Sequence, residues 1–432
     1  MRDKTNSTQK TISANENQGI IHSFQEKLEE IKKYLKDNVI LGMIIIDASK
    51  INKIEHEYGK IVYGDVLQSL GKIISGMKGN QIRSDDILTV NHAEGEQFYI
   101  FLSKKRTEKS FQSGDIESVA ERVGEYVNKE MFLTVYPLLK KRPKISIGYA
   151  ITIDNSLIQE ERLINKLIED AKLMANYLEF RALMRNKEKL QEIIIKEEIS
   201  TIYQPILNLV SPEIIGYEAL SRGPKNSAYE NPFVMFNIAE ETDLLFELDR
   251  ICRKRSLINA KGIPEGLKLF INILPSTIQD PEFKGGYLKN FLDEVKINSR
   301  SIVLEISERQ AIENYALLKE ASEYYSEIGF ALAIDDVGAG YSNLKSLVEF
   351  NISYIKLDIS MVRNINDDPL KKEIVRAMIQ IGKNINADVI AEGIETEDEL
   401  KELLDLGLIY GQGFLFAKPA PPFTDADFIE VK

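Results

Sequence analysis

Between residues 21 and 35, Ile21, Phe24, Leu28, Ile31 and Leu35 recur at alternating spacings of three and four, with Glu and Lys among them. This is the stripe of an amphipathic helix. It covers about two heptads where a coiled coil needs three or more, so docking on the chain's own domain is favoured over a dimer seam. The pattern then changes. Residues 39–47 read as a buried strand ending in an acid, 61–74 as a helix, 98–102 as a strand, 116–129 as a helix, 144–153 as a strand and 163–185 as a helix. Interleaved strands and helices predict one compact α/β domain over 39–180. Residues 186–198 are charged and lack Gly and Pro, so a stiff helical connector is expected over 181–198.

From residue 199 to the end the pattern is strand-then-helix. Candidate strands cover 201–206, 214–220, 268–273, 301–306, 331–334, 354–357, 388–391 and 410–416, most of them short and rich in Ile, Leu, Val and Tyr. Eight such units in about 230 residues match the count and size of a (β/α)8 barrel. An open doubly wound sheet also alternates. No G-x-G-x-x-G follows any of these strands, which weakens its dinucleotide-binding version.

Composition narrows the chemistry. The 432 residues suit two or three domains. The net charge of −12, from 67 Asp+Glu against 55 Lys+Arg, argues against a nucleic-acid polymer as partner. Cys252 is the one cysteine, which excludes intramolecular disulfides and cysteine-rich zinc sites. The three histidines, His22, His56 and His92, all lie in the first quarter of the chain. Chemistry in the remainder must rest on carboxylates, amides and lysine. No stretch approaches the roughly 18 apolar residues of a membrane helix. The polar start, 1–18, lacks the apolar segment of a signal peptide. A cytoplasmic protein with a polar tail and one helix over 1–38, and with no membrane partner, is the expectation.

Acids and amides punctuate the strand ends of the second half. Glu218, Asn272, Glu305, Asp335 with Asp336, Lys356 with Asp358, Glu392 and Gln412 fall on or beside successive candidate strands. In a (β/α)8 barrel those ends converge on one mouth. Bare carboxylates gathered there would repel one another, and a hard divalent cation relieves that repulsion. Oxygen-only ligands select Mg²⁺, Mn²⁺ or Ca²⁺, and adjacent acids suit a two-metal site for phosphoester chemistry. Taken singly, an acid at a strand end is more often a helix cap or a surface charge, and a strand lysine more often snorkels. The joint occurrence on successive strands outweighs those readings.

These residues carry a resemblance. Tyr203, Gln204, Pro205 and Ile206 resemble the opening Y-Q-P-I of the EAL family of cyclic di-GMP phosphodiesterases, and Glu218, Ala219, Leu220, Ser221 and Arg222 its E-A-L-L-R signature. Phe270 to Ile273 resemble its V-N strand, Leu304 to Glu308 its E-L-T-E, and Asp335 to Ser342 its D-D-F-G-T-G-Y-S. Ile355 to Asp358 resemble K-I-D, Ala391 to Glu395 resemble A-E-G-V-E, and Gln412 to Phe414 with Pro419 resemble Q-G-Y…P. The eight motifs stand in order over 199–432. The resemblance implies a modified TIM-like (β/α)8 barrel whose first strand runs antiparallel to the rest. It implies Glu218, Asn272, Glu305 and Asp335 as metal ligands, Asp335 shared between two ions, and Asp336 and Glu392 completing the second site, for Mg²⁺ or Mn²⁺. It implies Lys356 beside the attacking water, with Glu218 and Glu392 in the catalytic set. Arg222, Gln204, Gln412 and Asp358 would face the substrate. Glu308, Glu395, Gly338 and Gly340 would support the site and its glycine-rich loop. Val337 and Ala339 replace a usual Phe and Thr in that loop, and neither removes a ligand.

The segment 39–180 resembles the GGDEF family of diguanylate cyclases in degenerate form. The signature R-Y-G-G-D-E-F falls on His92, Ala93, Glu94, Gly95, Glu96, Gln97 and Phe98, with only Gly95 and Phe98 matching outright. Asp47 and Glu96 match the metal acids. Glu94 replaces a glycine beside the nucleotide, and Glu55 with His56 replaces the guanine-reading N-D pair. Cyclase activity is therefore expected to be lost. Arg83 to Asp86 reads as R-x-x-D, but two residues too far from the signature for a function to be assigned. The expectation is hydrolysis of cyclic di-GMP to linear pGpG by the second half, with the first half regulatory or structural. A homodimer through the barrel is a further expectation. The alternative is a catalytically silent cyclic di-GMP receptor or scaffold that signals through a partner protein.

Overall fold

The structure is a computed structural model and describes residues 21–92, 95–103, 113–139, 144–211, 213–338, 350–421 and 423. The chain divides into two compact units, 1–184 and 185–432.

The first unit is built on a five-stranded sheet. Its elements in chain order are β1 (His22–Ser23), α1 (Phe24–Asn38), β2 (Ile40–Asp47), α2 (Asn52–Ser75), β3 (Ile87–Val90), β4 (Gln97–Ser103), α3 (Ser113–Leu139), β5 (Ser146–Ile153) and the start of α4 (Glu160–Ile195), whose residues from 185 onward belong to the second unit. The sheet order is β1-β3-β4-β2-β5. β2 pairs antiparallel with both β4 and β5. Because side chains alternate along a strand, Ile44 and Ile46 enter one apolar layer with α2 and α3, while Leu41, Met43 and Ile45 enter the opposite layer with α1 and α4. A strand covered on both faces reads as a near-continuous apolar run, and 40–46 is one, interrupted only by Gly42.

Helix α1 begins at Ser23, whose side chain forms a capping box with Glu26. Its stripe of Phe24, Leu28, Ile31 and Leu35 is buried against the sheet, so it docks within its own unit as expected. Helix α2 starts nine residues before the predicted one, with a non-helical break at Gly59. The short strand β3 was not anticipated, since four residues carry too little periodicity to register.

The second unit holds a closed barrel. Its strands are β6 (Ser200–Asn208), β7 (Glu213–Arg222), β8 (Lys268–Asn272), β9 (Ile302–Ser307), β10 (Ala331–Val337), β11 (Tyr354–Leu357), β12 (Asp388–Ala391) and β13 (Tyr410–Gly411). β6 runs antiparallel to both β7 and β13, and the other neighbours are parallel. This agrees with the modified barrel and excludes the open sheet. The eighth strand is a correction. It was expected over 410–416 and ends at Gly411. A Cβ at Gly413 would lie 2.0 Å from the Ile394 carbonyl oxygen, so the chain is pressed against the neighbouring segment there. It turns, with Phe416 N–H donating back to Gly413 O.

The barrel interior is layered. Ile206, Phe270, Val303, Ala333, Tyr354 and Ile390 form a buried apolar plug, with Tyr410 packed against it. Two residues along each of these strands stand Gln204, Asn272, Glu305, Asp335, Lys356, Glu392 and Gln412. The period of two therefore places one polar layer directly on the apolar one.

Candidate active site

Lys356 is the centre of that polar layer. It is fully buried, and its Nζ lies 2.7 Å from Glu305 Oε1, 2.7 Å from Glu392 Oε1, 3.3 Å from Asp335 Oδ1 and 3.4 Å from Glu218 Oε2. One ammonium cannot balance four carboxylates. Burial pushes the Glu305 carboxyl well above its ordinary range, outweighing the pull of Lys356. Burial, then the charge of Asp335, pushes Glu392 up as well. Asp335 is raised for the same first reason. Burial works to lower the Lys356 ammonium, yet Asp335, Glu218, Glu305 and Glu392 together hold it well above its usual value.

Amides knit the acids together. Asn272 Nδ2 donates to Glu305 Oε2 at 3.1 Å and to Glu218 Oε1 at 3.4 Å. Gln412 Nε2 donates to Glu218 Oε2 at 2.6 Å and to Glu392 Oε1 at 3.0 Å. Asp336 takes a left-handed backbone, φ 57°, and its N–H donates to Asp335 Oδ1 at 3.0 Å. That turn brings two consecutive carboxylates to one place.

Two groups of acids could each hold a cation. Glu218, Glu305 and Asp335 offer oxygens within 4.8 Å of one another, and so do Asp335, Asp336 and Glu392. The two groups share Asp335. The fit is supported by buried atoms that lack hydrogen-bond partners: Glu305 Oε1, Lys356 Nζ and Gln412 Oε1. Glu305 and Lys356 approach closely without the alignment of a hydrogen bond. An all-oxygen donor set of this kind suits a hard divalent ion.

The other predicted residues are spread around this centre. Glu218 lies in the middle of β7, not at its end, because β7 runs on to Arg222. Arg222 is half-buried, and its Nη1 donates to Ser221 O at 2.8 Å; burial lowers its guanidinium below the ordinary value. Gln204 Nε2 donates to Ala417 O at 3.2 Å. Asp358 caps a short helix, Ile359–Val362, by accepting from Ser360 N–H at 2.9 Å. Glu308 is buried and accepts the Gly338 N–H at 3.3 Å. Gly338 has φ 98°, and a Cβ there would lie 2.7 Å from Met361 Cγ, so glycine is required. Glu395 does not join the acidic centre but pairs with Arg363 and accepts from no residue of the polar layer in the described contacts. Gly340, with Ala339, Tyr341 and Ser342, lies outside the described residues. Ile359 and Met361 went unread in the sequence. They sit against Gly393 and Gly338 respectively and back the turns beside the acids. Their position directly after Asp358 is the one signal that could have flagged them.

In the first unit, Asp47 and Glu96 are already held by protein donors. Asp47 accepts from Ser49 N–H at 2.9 Å and from Gln97 Nε2 at 2.8 Å, and Glu96 accepts from the Tyr63 hydroxyl. Ala93 and Glu94 lie outside the described residues.

Known proteins share this architecture. The chain is 32% identical over 251 residues to the probable cyclic di-GMP phosphodiesterase PdeG of Escherichia coli, a match covering 57% of this chain and 48% of that protein. It is 27% identical over 378 residues to the cyclic di-GMP phosphodiesterase PdeA of Borreliella burgdorferi, covering 84% and 53%. The chain thus spans about half the length of these curated relatives. Among solved structures, the EAL enzyme Bd1971 in its cAMP- and cyclic-di-GMP-bound form is similar at a TM-score of 0.51 and 25% identity, over 65% of this chain and 79% of that one. The FimX EAL domain of Xanthomonas citri, in complex with c-diGMP, shares the fold at a TM-score of 0.53 and 21% identity, over 58% and 99%. No described helix is long and apolar enough to cross a membrane. The sequence pattern of the EAL domain matches residues 187–419, more than half of the chain, and the chain belongs to the EAL domain family.

Proposed function

We propose that the barrel unit hydrolyses cyclic di-GMP to linear pGpG with the help of two divalent cations, Mg²⁺ or Mn²⁺. The observation that carries this reading is the pair of oxygen-ligand groups sharing Asp335, with Lys356 buried among them. Glu218, Asn272, Glu305 and Asp335 would hold one ion, and Asp335, Asp336 and Glu392 the other. When bound, such ions neutralise phosphate charge and lower the pKa of a water. The chain's own residues do the rest. Lys356 donates a hydrogen bond that orients the attacking water. Arg222 holds a phosphate oxygen, a natural guanidinium task. Gln412 fixes Glu218 and Glu392 relative to each other. Asp358 and Gln204 line the substrate side, and Glu308 steadies the backbone at Gly338. Water adds to phosphorus, one P–O3′ bond breaks, and the freed 3′ oxygen takes up a proton.

The first unit would act as a regulatory or structural module derived from a cyclase-like domain. The engagement of Asp47 and Glu96 by Gln97, Ser49 and Tyr63 supports a role without nucleotide turnover. The test is incubation of the full chain with cyclic di-GMP and Mg²⁺ or Mn²⁺. Linear pGpG is expected, and its loss in Glu218→Ala. Binding without product would favour the silent receptor and overturn the hydrolase.

A further inference from the structure

Helix α4 carries an apolar stripe on the side away from its own sheet. Leu163, Ile164, Leu167, Ile168, Ala171 and Ala175 are its buried face, packed in the apolar layer of the first unit. Leu173, Tyr177 and Phe180 are 67%, 55% and 61% exposed, and Met184 is half-buried. At 100° per residue these four positions centre about 150° round the helix from the buried face. Their spacings of four, three and four are those of a two-helix seam. Three large apolar side chains exposed in one row differ from the scattered surface residues that need no explanation.

The charges at either end of the stripe select the partner and its direction. Stepping outward at the same spacing, the next seam positions are Asp170 and Lys187, and no other residue of the row is charged. In an antiparallel pair of identical helices, Leu173 meets Met184 of the second copy and Tyr177 meets Phe180. The same register sets Asp170 against Lys187, and two-fold symmetry makes each of the three matches twice. In a parallel pair in register, Asp170 would face Asp170 and Lys187 would face Lys187. The row is thus self-complementary in one direction and self-repelling in the other. We propose that α4 is a homodimer seam in which two copies of this chain pair antiparallel through Leu173, Tyr177, Phe180 and Met184, locked in register by Asp170 and Lys187. This inference is independent of the reaction proposed above.

The test is sedimentation equilibrium of the full chain over a range of concentrations. A monomer–dimer equilibrium is expected, lost in the double variant Tyr177→Glu, Phe180→Glu. Asp170→Lys alone should weaken dimerisation about ten-fold or more, and the charge swap Asp170→Lys with Lys187→Asp should restore it to within about three-fold. Mixed disulfides supply a second readout, since the native Cys252 is buried. An equimolar mixture of Leu173→Cys and Met184→Cys chains should cross-link as heterodimers faster than either variant alone. A chain that stays monomeric at every concentration would overturn the proposal. So would a dimer that survives the double glutamate variant, or a charge swap that fails to rescue.

Discussion

The side-chain amide of Gln412 donates to Glu218 Oε2 at 2.6 Å across 194 residues of sequence, and the same nitrogen reaches Glu392 at 3.0 Å. One neutral group therefore ties together two carboxylates from β7 and from the end of β12. It does so beside the antiparallel strand β6, where the barrel closes between its first and last strands. Replacing this donor with a fifth acid removes two hydrogen bonds and adds a like charge. Gln412→Glu should therefore melt earlier in EDTA, by on the order of 1–3 kcal/mol, and regain most of that loss in Mg²⁺. Thermal melts of both proteins with and without the cation measure it. Identical melting in EDTA would mean that the bridge carries no weight.

Lys356 is the one cation in contact with Glu218, Glu305, Asp335 and Glu392 among the described residues. Removing one partner of a buried ion cluster leaves the others uncompensated, which costs ~3–5 kcal/mol. Lys356→Met should be destabilised by that order in EDTA, with the deficit shrinking as divalent ion is added. If the reaction proposed here is right, turnover should fall by ~100-fold or more even with the metal present. Urea unfolding in EDTA and in Mn²⁺, together with product formation, separates the two effects.

Asp86 gives a pH dependence to the first unit. It is buried, its Oδ2 accepts the Arg83 N–H at 2.7 Å, and its Oδ1 has no hydrogen-bond partner. Burial pushes its carboxyl up from 3.8 to about 6. The folded state therefore holds this proton more tightly than the unfolded chain does. The contribution to stability is fully present below the unfolded value and is lost as pH rises through about 6. Asp86→Asn cannot ionise. Between pH 4 and pH 7 the stability of the parent should fall relative to the variant by on the order of 2–3 kcal/mol. Urea titrations across that range check the difference, and parallel curves would contradict it.

Cys252 offers a probe of the barrel unit. It is buried, and burial pushes its thiol up to about 12. Thiolate is the reactive form, so the native chain should react slowly with a thiol reagent at pH 8. Because the chain has no other cysteine, labelling should follow opening of the segment around Leu190, Met235 and Leu248, against which Cys252 packs. Reaction should accelerate ~100-fold or more in denaturing urea. Fast labelling of the native protein would show that this packing opens readily.

Some of the site was legible in the residues. Each acid could be placed on or just beyond a strand from the alternation of apolar runs and helical stretches, and the eight motifs supplied the rest by resemblance. The buried salt-bridge group of Arg253, Asp249 and Asp280 behind the barrel was not legible. There, Arg253 donates to Asp249 at 2.7 Å within one helix and to Asp280 at 2.9 Å, the second bond joining that helix to a segment 27 residues further on. No local pattern announces such a pairing, because a charged residue on a helix ordinarily faces water. Glu395, expected from its motif to support the site, has its carboxylate paired with Arg363, a partner that no motif names.

The strand-then-helix order of the barrel half and the choice of oxygen chemistry were determined by the sequence alone. Periods of 2 and 3.6 are local properties of the backbone and need no knowledge of the fold. Three things were decided only by the tertiary structure. These are the shortening of the eighth strand to Tyr410–Gly411, the use of Lys356 as shared counter-charge, and the bridging by Gln412. Each depends on contacts between residues far apart in the chain. Such contacts are fixed by register and packing, and periodicity along the chain carries no record of either.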